Sequence, residues 1–526
     1  MSKQLKSVGL VSALTLASRF LGLLRDQLAL ALFGASGLIS AFYVAFTLPN
    51  LFRRLLAEGS LTAAFVPTLQ EELLVSSREG AFALLSKVSS WLLVVTASLV
   101  GLAMLVFSQA HLLPGHAQRW YDAADLSTIL FPYLMLISLA AAFSATLNVL
   151  HHFVEPALSP IWLNAAMILS LVGAKYHFAH SKLGEMHWLC AGVLIGGFLQ
   201  MAVPAAVLFK LGWRPRFDLA LSPRVREIAM LMTPGIFGLA IYQINISVSR
   251  FLAFDLNDSA VTYMFTTNRL MELPIGVFAI AISTVFYPLI ARHAAQRNYV
   301  AMGEDFRRGL RLILTINIPA GVGLALLSGP IVRLLYRHGH VTSTDAHNMA
   351  VLLSLFAVGM PFFSIVNLTV RAFYALKDTR TPVRIALIDF LVNIVVSLSL
   401  MRWLGVVGLV AASTTAIIVQ TLLLERALVR RFPNLSLRSL IPSVAKIFGG
   451  TAVMAGVVLA GRQLLGSLAT SERVLEIADL LILIPVAVAA YGAVIWLLRI
   501  EGREEMAAVF SRVRAGKVVP PDPPAP

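Results

Sequence analysis

Uninterrupted apolar stretches recur along nearly the whole chain, LLILIPVAVAAYGAVIWLL at 480–498 being typical. A helix needs roughly 20 such residues to cross about 30 Å of hydrocarbon. Inside that layer only helices and closed barrels satisfy every backbone N–H and C=O. Barrel strands alternate polar and apolar residues, whereas these runs are apolar on every face. The sequence therefore predicts an all-α polytopic membrane protein with about 14 transmembrane helices. Among them are 7–34, 39–70 (broken at Pro49 and Pro67), 228–249 and 477–498. Of the 526 residues 58% are hydrophobic and 13% charged, which leaves no room for a large soluble domain. The start, MSKQLK before an apolar run, imitates a secretory signal, but Arg19 interrupts it and the apolar pattern runs on, so it reads as the first span.

The formal net charge of +15 suggests nucleic acid only until the charges are placed. With a cytoplasmic N-terminus, most of the 42 Lys and Arg fall in cytoplasmic segments, through clusters such as KLGWRPR, EDFRRGLR and ERALVRR. The basicity is thus a topology signal, with both termini in the cytoplasm and no nucleic-acid partner. Cys190 is the only cysteine, which excludes an intramolecular disulfide. The histidines of HSKLGEMH and RHGH lack a ligand spacing that suits zinc. No GxxxxGK[ST] loop occurs, so ATP does not drive the protein directly and no cofactor is expected.

Two stretches resemble each other internally. LNVLHHFVEPALSP (147–160) and FYALKDTRTPVRIA (373–386) each read as a span end, a polar loop and a proline opening the next span, with Leu150 matching Leu376 and Pro156 matching Pro382. Pro67 and Pro288 stand at almost the same offset. The pattern predicts two six-helix lobes, 1–220 and 221–436, an added helix pair at 437–500, and a cytoplasmic tail at 501–526 ending in proline-rich sequence. Parallel repeats of this kind place a substrate between two bundles that rock by alternating access.

Several charges sit inside these spans. The first carries Arg19, Arg25 and Asp26; the second Arg53, Arg54 and Glu58; the eighth Arg269 and Glu272. A charge at mid-bilayer costs about 2.5–3.5 kcal/mol on insertion scales, so these side chains must face water or one another. Arg19 and Asp26 stand nearly two turns apart, on one helix face; Arg54 and Glu58, like Asn268 and Glu272, stand four apart. The arginines outnumber the carboxylates, and a positive surplus in a low-dielectric cavity calls for an anion. The planar fork of arginine suits phosphate oxygens. The competing expectation is that the side chains snorkel and only stabilise helix ends. Asp389 and Asn393 share a face of the eleventh span and are candidates for binding Na⁺ or a proton, with Gln243, Asn245, Ser247 and Ser249 as further polar groups. A helix-packing hydrogen bond is the plainer alternative. A membrane glycosyltransferase or phosphatase is disfavoured, because DAAD at 122–125 is the only close carboxylate pair in an external loop.

The same segments carry a resemblance. SRFLGLLRDQLALALFGAS, AFYVAFTLPNLFRRLLAEGSLTAAFVP, NRLMELPIGVFAIAISTVFYPLIA and FYALKDTRTPV resemble the MurJ (MviN) family of lipid II flippases, in the MOP exporter superfamily. The resemblance extends from residue 1 to about 500. It implies two six-helix lobes in a V around a cationic cavity, with the last helix pair forming a groove for the lipid tail. It further implies movement of undecaprenyl-pyrophosphate-MurNAc-pentapeptide-GlcNAc from the cytoplasmic to the outer leaflet of the inner membrane, for peptidoglycan synthesis. Another polyprenyl-linked oligosaccharide is the alternative cargo. Expected partners are lipid II, membrane lipids and cell-wall glycosyltransferases; the expected energy source is the membrane potential or a monovalent cation. By motif match Arg19, Arg25, Arg53 and Arg269 fall on the family's functional cavity arginines, and Asp26, Arg54, Asn50, Glu58 and Glu272 on their neighbours. The sequence departs from the pattern of the family it resembles at Ser40, where many members have Asp, at Thr47, where some have Lys, and at Asn268, where Asp is usual.

Overall fold

The computed structural model describes residues 3–55, 60–112, 115, 117–175, 181–468 and 471–499. Among these, the regular structure is helical throughout. Among the described residues ten helices are long and apolar enough to cross a membrane, or eleven if Gln118–Leu130 and Tyr133–Val149, bent by 41°, count as one span. The expected count of fourteen is not reached by this measure. The second expected span is divided into Gly37–Phe52 and Ser60–Val75, of 16 residues each. Two long helices, Lys3–Phe33 and Pro223–Leu256, are not among the ten; the first carries the arginines discussed below.

The chain divides into two compact units, Met1–Phe265 with Tyr336–Asp345, and Thr266–Leu335 with Ala346–Pro526. In the first, Phe65, Leu85, Leu147 and Leu208 form part of a fully buried cluster. Lipid tails are as apolar as leucine, so close backbone approach matters more here than burial of oil. Helix Lys182–Lys210 achieves it through Gly192 and Gly196, one turn apart. A Cβ on Gly196 would stand 2.8 Å from the Leu163 Cα, and one on Gly192 2.6 Å from the Ser170 hydroxyl. Helix Val154–Gly173 is thereby held tightly on this side and turns Asn164 toward helix Lys3–Phe33. Cys190, on the same helix as the two glycines, is fully buried.

The segment Tyr336–Asp345 returns to the first unit. There the His340 amide donates to the Ala31 carbonyl at 3.0 Å. Gly339 (φ +60°) approaches the same carbonyl so closely that a Cβ would lie 2.1 Å from it, and Asp345 accepts from the Tyr263 hydroxyl at 2.6 Å. In the second unit, Phe306, Leu310, Leu368 and Leu424 are fully buried together. In that unit two buried carboxylates pair with partly exposed arginines, Glu476 with Arg333 at 2.6 Å and Asp479 with Arg462 at 3.3 Å.

The two similar loops share a backbone. His151 and Lys377 both take left-handed conformations, φ 63° and 58°. His152 N–H donates to the Leu147 carbonyl at 2.8 Å, and Asp378 N–H to that of Phe373 at 3.0 Å; the N–H of His151 and Lys377 follow to Asn148 and Tyr374 at 3.1 and 3.0 Å. This crossed pair of bonds satisfies carbonyls that a helix end leaves open. Downstream the side chains diverge. Asp378 accepts from the Thr381 amide at 3.0 Å and hydroxyl at 2.7 Å, and from Arg431. Partial burial pushes its carboxyl up, but the Thr381 and Arg431 donors together outweigh that and hold it below the usual carboxylate value.

Candidate substrate site

Arg25 and Asp26 are neighbours on helix Lys3–Phe33, and neighbouring helical positions do not ordinarily face each other. The long arginine side chain folds back nevertheless. Its Nε and Nη2 donate to Asp26 Oδ1 at 2.9 and 2.6 Å. Its Nη1 donates to Asn164 Oδ1 at 3.0 Å and lies 3.7 Å from the Met167 sulfur. The side chains of Arg25 and Asp26 are only 12% and 5% exposed. The guanidinium is thus held on two sides by oxygen acceptors, which fixes its plane and compensates much of the cost of removing the charge from water. Asp26 forms an ion pair with Arg25, its immediate neighbour, although spacing put it on one face with Arg19; Arg19 is exposed.

The second group of arginines sits at a helix break. Pro49 lies inside helix Gly37–Phe52, and the chain passes into a π-helical turn at 53–55. A proline removes one intrahelical donor and crowds the turn before it, and π turns frequently mark functional sites. Asn50 bridges the break: its Nδ2 donates to the Phe46 carbonyl at 3.0 Å, and its Oδ1 accepts from Arg53 Nε at 3.1 Å. Arg53 is half-buried and Arg54 exposed. Arg54 Nη1 reaches Gln243 Oε1 only at 3.5 Å, the outer limit of a hydrogen bond. Glu58 lies outside the described residues.

Ser40 and Thr47, two positions where a departure from the resembled family is expected, are engaged within this unit. The Ser40 and Thr262 hydroxyls stand 2.8 Å apart. Thr47 Oγ1 donates to the Tyr43 carbonyl at 2.7 Å and accepts from Arg250 Nη1 at 2.9 Å. A lysine at 47 would meet the Arg250 guanidinium instead. In the second unit, Arg269 is half-buried, and Asn268 donates to exposed Glu272 at 2.9 Å, the pairing the four-residue spacing predicts. Asp389 is half-buried; Asn393 is buried and accepts from the Ser397 hydroxyl at 3.4 Å. Among the described residues no three His, Cys, Asp or Glu side chains converge on one point. DAAD lies within helix Gln118–Leu130, Asp122 accepting from Gln118 at 3.0 Å and Asp125 meeting His111 at 2.9 Å.

Asn164 and Arg250 carry no local sequence signal that marks them as partners of these groups. Neither stands near the arginine motifs in sequence, and only the packing of Val154–Gly173 and Pro223–Leu256 on the first two helices brings them in.

Against known proteins, the profile of the family described as "Lipid II flippase MurJ" matches residues 30–477. The chain belongs to the MurJ family. A probable lipid II flippase MurJ of Vibrio cholerae serotype O1 is 31% identical, with 96% of this chain and 98% of that protein covered. One from Rhizobium tropici is 33% identical over 91% of each. Among solved structures, a lipid II flippase MurJ in an inward closed conformation matches at 26% identity and a TM-score of 0.77, over 96% of this chain and 99% of that one. An inward-facing MATE multidrug transporter of the MOP superfamily matches at 13% identity and a TM-score of 0.66, covering 79% of this chain and 95% of that one, a likeness of fold alone. Within the MurJ family, the arginine motifs of this chain therefore sit in a transporter scaffold, with no call for an enzyme's catalytic group.

Proposed function

We infer that the protein is a lipid II flippase of the bacterial inner membrane, supplying precursor for peptidoglycan, and that Arg25 receives the lipid's pyrophosphate. Family membership supports the cargo. The single observation that carries the site is the Arg25 guanidinium, nearly enclosed yet held in one plane by Asp26 and Asn164. A pyrophosphate entering such a site exchanges hydration for charge-assisted hydrogen bonds, each worth about 1.5–3 kcal/mol. Arg19, Arg53 and Arg54 on the same unit supply further positive charge, and Arg269 receives its role from the motif match. Asn50 sets the position of Arg53; Asp26, Glu58 and Glu272 moderate the charge.

The prenyl tail stays in hydrocarbon while the headgroup crosses from the cytoplasmic to the outer side. Headgroup binding drives closure only to the extent that the closed form binds it more tightly. Both termini face the cytoplasm in this reading, and partner glycosyltransferases receive the flipped lipid. Energy comes from the membrane potential or a monovalent cation, with Asp389 and Asn393 as the cation's seat.

The test is lipid II at the outer face of cells depleted of their own flippase and rescued by this protein, wild type against Arg25→Ala at matched expression. Rescue by wild type alone is the expected result. Equal rescue by both removes Arg25 from the site; no rescue by a correctly inserted wild type redirects the cargo to another polyprenyl-linked oligosaccharide.

A further inference from the structure

Beyond Glu155 in its first turn, helix Val154–Gly173 carries no charge, and Asn164 is its one amide. That amide is buried, 6% exposed. A primary amide at such depth needs acceptors for its NH₂ and donors for its oxygen. Asn164 finds both on one neighbouring helix: Nδ2 donates to the Ser18 carbonyl at 3.1 Å, and Oδ1 accepts from Arg25 Nη1 at 3.0 Å. The guanidinium has only donors, so the opposite amide orientation would set two donors against each other; the partners therefore dictate which way the amide points. Ser18 and Arg25 stand about two helical turns apart, and the single amide spans one face of the helix between them.

We propose that Asn164 is a positioning residue for the substrate headgroup, acting through Arg25. Asp26 fixes the Nε–Nη2 edge of the guanidinium and Asn164 fixes Nη1. Without Asn164 the group pivots about its bonds to Asp26, and the N–H groups left for a ligand lose their direction. Asn164 is also anchored from behind, because Leu163 next to it lies against Gly196. The inference rests on the reading that Arg25 receives the pyrophosphate.

A double-mutant cycle on the purified full-length protein in detergent tests it, with lipid II of shortened prenyl chain as the ligand. Asn164→Leu keeps the approximate shape and removes the acceptor. It is expected to weaken binding about tenfold, the scale of one charge-assisted hydrogen bond. In an Arg25→Ala background the same substitution is expected to change binding by less than about twofold, since a residue acting through Arg25 has nothing left to act on. No loss on the wild-type background, or an equal loss on both, overturns the proposal. An unchanged affinity in Arg25→Ala alone overturns the site reading beneath it, a separate result. Should Asn164→Leu fail to fold, as judged by thermal unfolding, Asn164→Ala goes through the same cycle.

Discussion

Arg25 and Arg54 are the same residue on adjacent elements of one unit, and they are held in opposite ways. Arg25 lies on an unbroken helix, 12% exposed, its guanidinium edges bonded to Asp26 and Asn164 at 2.6–3.0 Å. Arg54 lies in the turn after Pro49, exposed, with a marginal 3.5 Å contact to Gln243. The first has had much of its side-chain freedom removed before any ligand arrives; the second must give up its freedom on binding, at about 0.5–1.5 kcal/mol for a long side chain. The motif's arginines are therefore not equivalent charges. One is preset, and the other can follow a headgroup as it moves.

Arg25→Ala is expected to weaken lipid II binding about a hundredfold, the loss of roughly two charge-assisted hydrogen bonds, with outer-leaflet lipid II falling in step. A loss as small as that of Arg54→Ala breaks the comparison outright. Arg25→Lys keeps the charge but not the fork, and a lysine cannot satisfy Asp26 and Asn164 in the same plane. About a tenfold loss is expected in the same binding measurement, and near-wild-type affinity would reduce Arg25 to a point charge. Arg54→Ala is expected to cost about threefold, as exposed ionic contacts usually do. Salt sharpens the distinction: between 0.05 and 0.5 M, screening should shrink the Arg54→Ala effect below about twofold while leaving most of the Arg25→Ala effect in place. Smallest of all, Gln243→Ala should alter affinity by less than about twofold, because a 3.5 Å contact adds little.

The fold was legible where physics repeats itself along the chain. Continuous apolar runs require helices, and the matched Leu150 and Leu376, with Pro156 and Pro382, foretold two turns that share left-handed residues and hydrogen-bond pattern. Pro49 marked the break before Arg53, although the π turn itself left no sequence sign. The partner of Asp26 was not legible. Helical spacing favours residues seven apart, yet a side chain with four rotatable bonds can fold onto its immediate neighbour, and Arg25 does. Asn164 was hidden for a different reason: an amide in WLNAAM looks like any other, and its value comes from the close packing that Gly192 and Gly196 permit elsewhere.

Cys190 has a practical consequence. It is the only thiol in the chain and has no surface exposed to solvent. A water-borne maleimide therefore meets a native protein that is already blank, and a cysteine placed in any exposed loop becomes the single reporter. The sidedness of every loop, and the separation of paired labels as lipid is carried, can be followed without first rebuilding the interior.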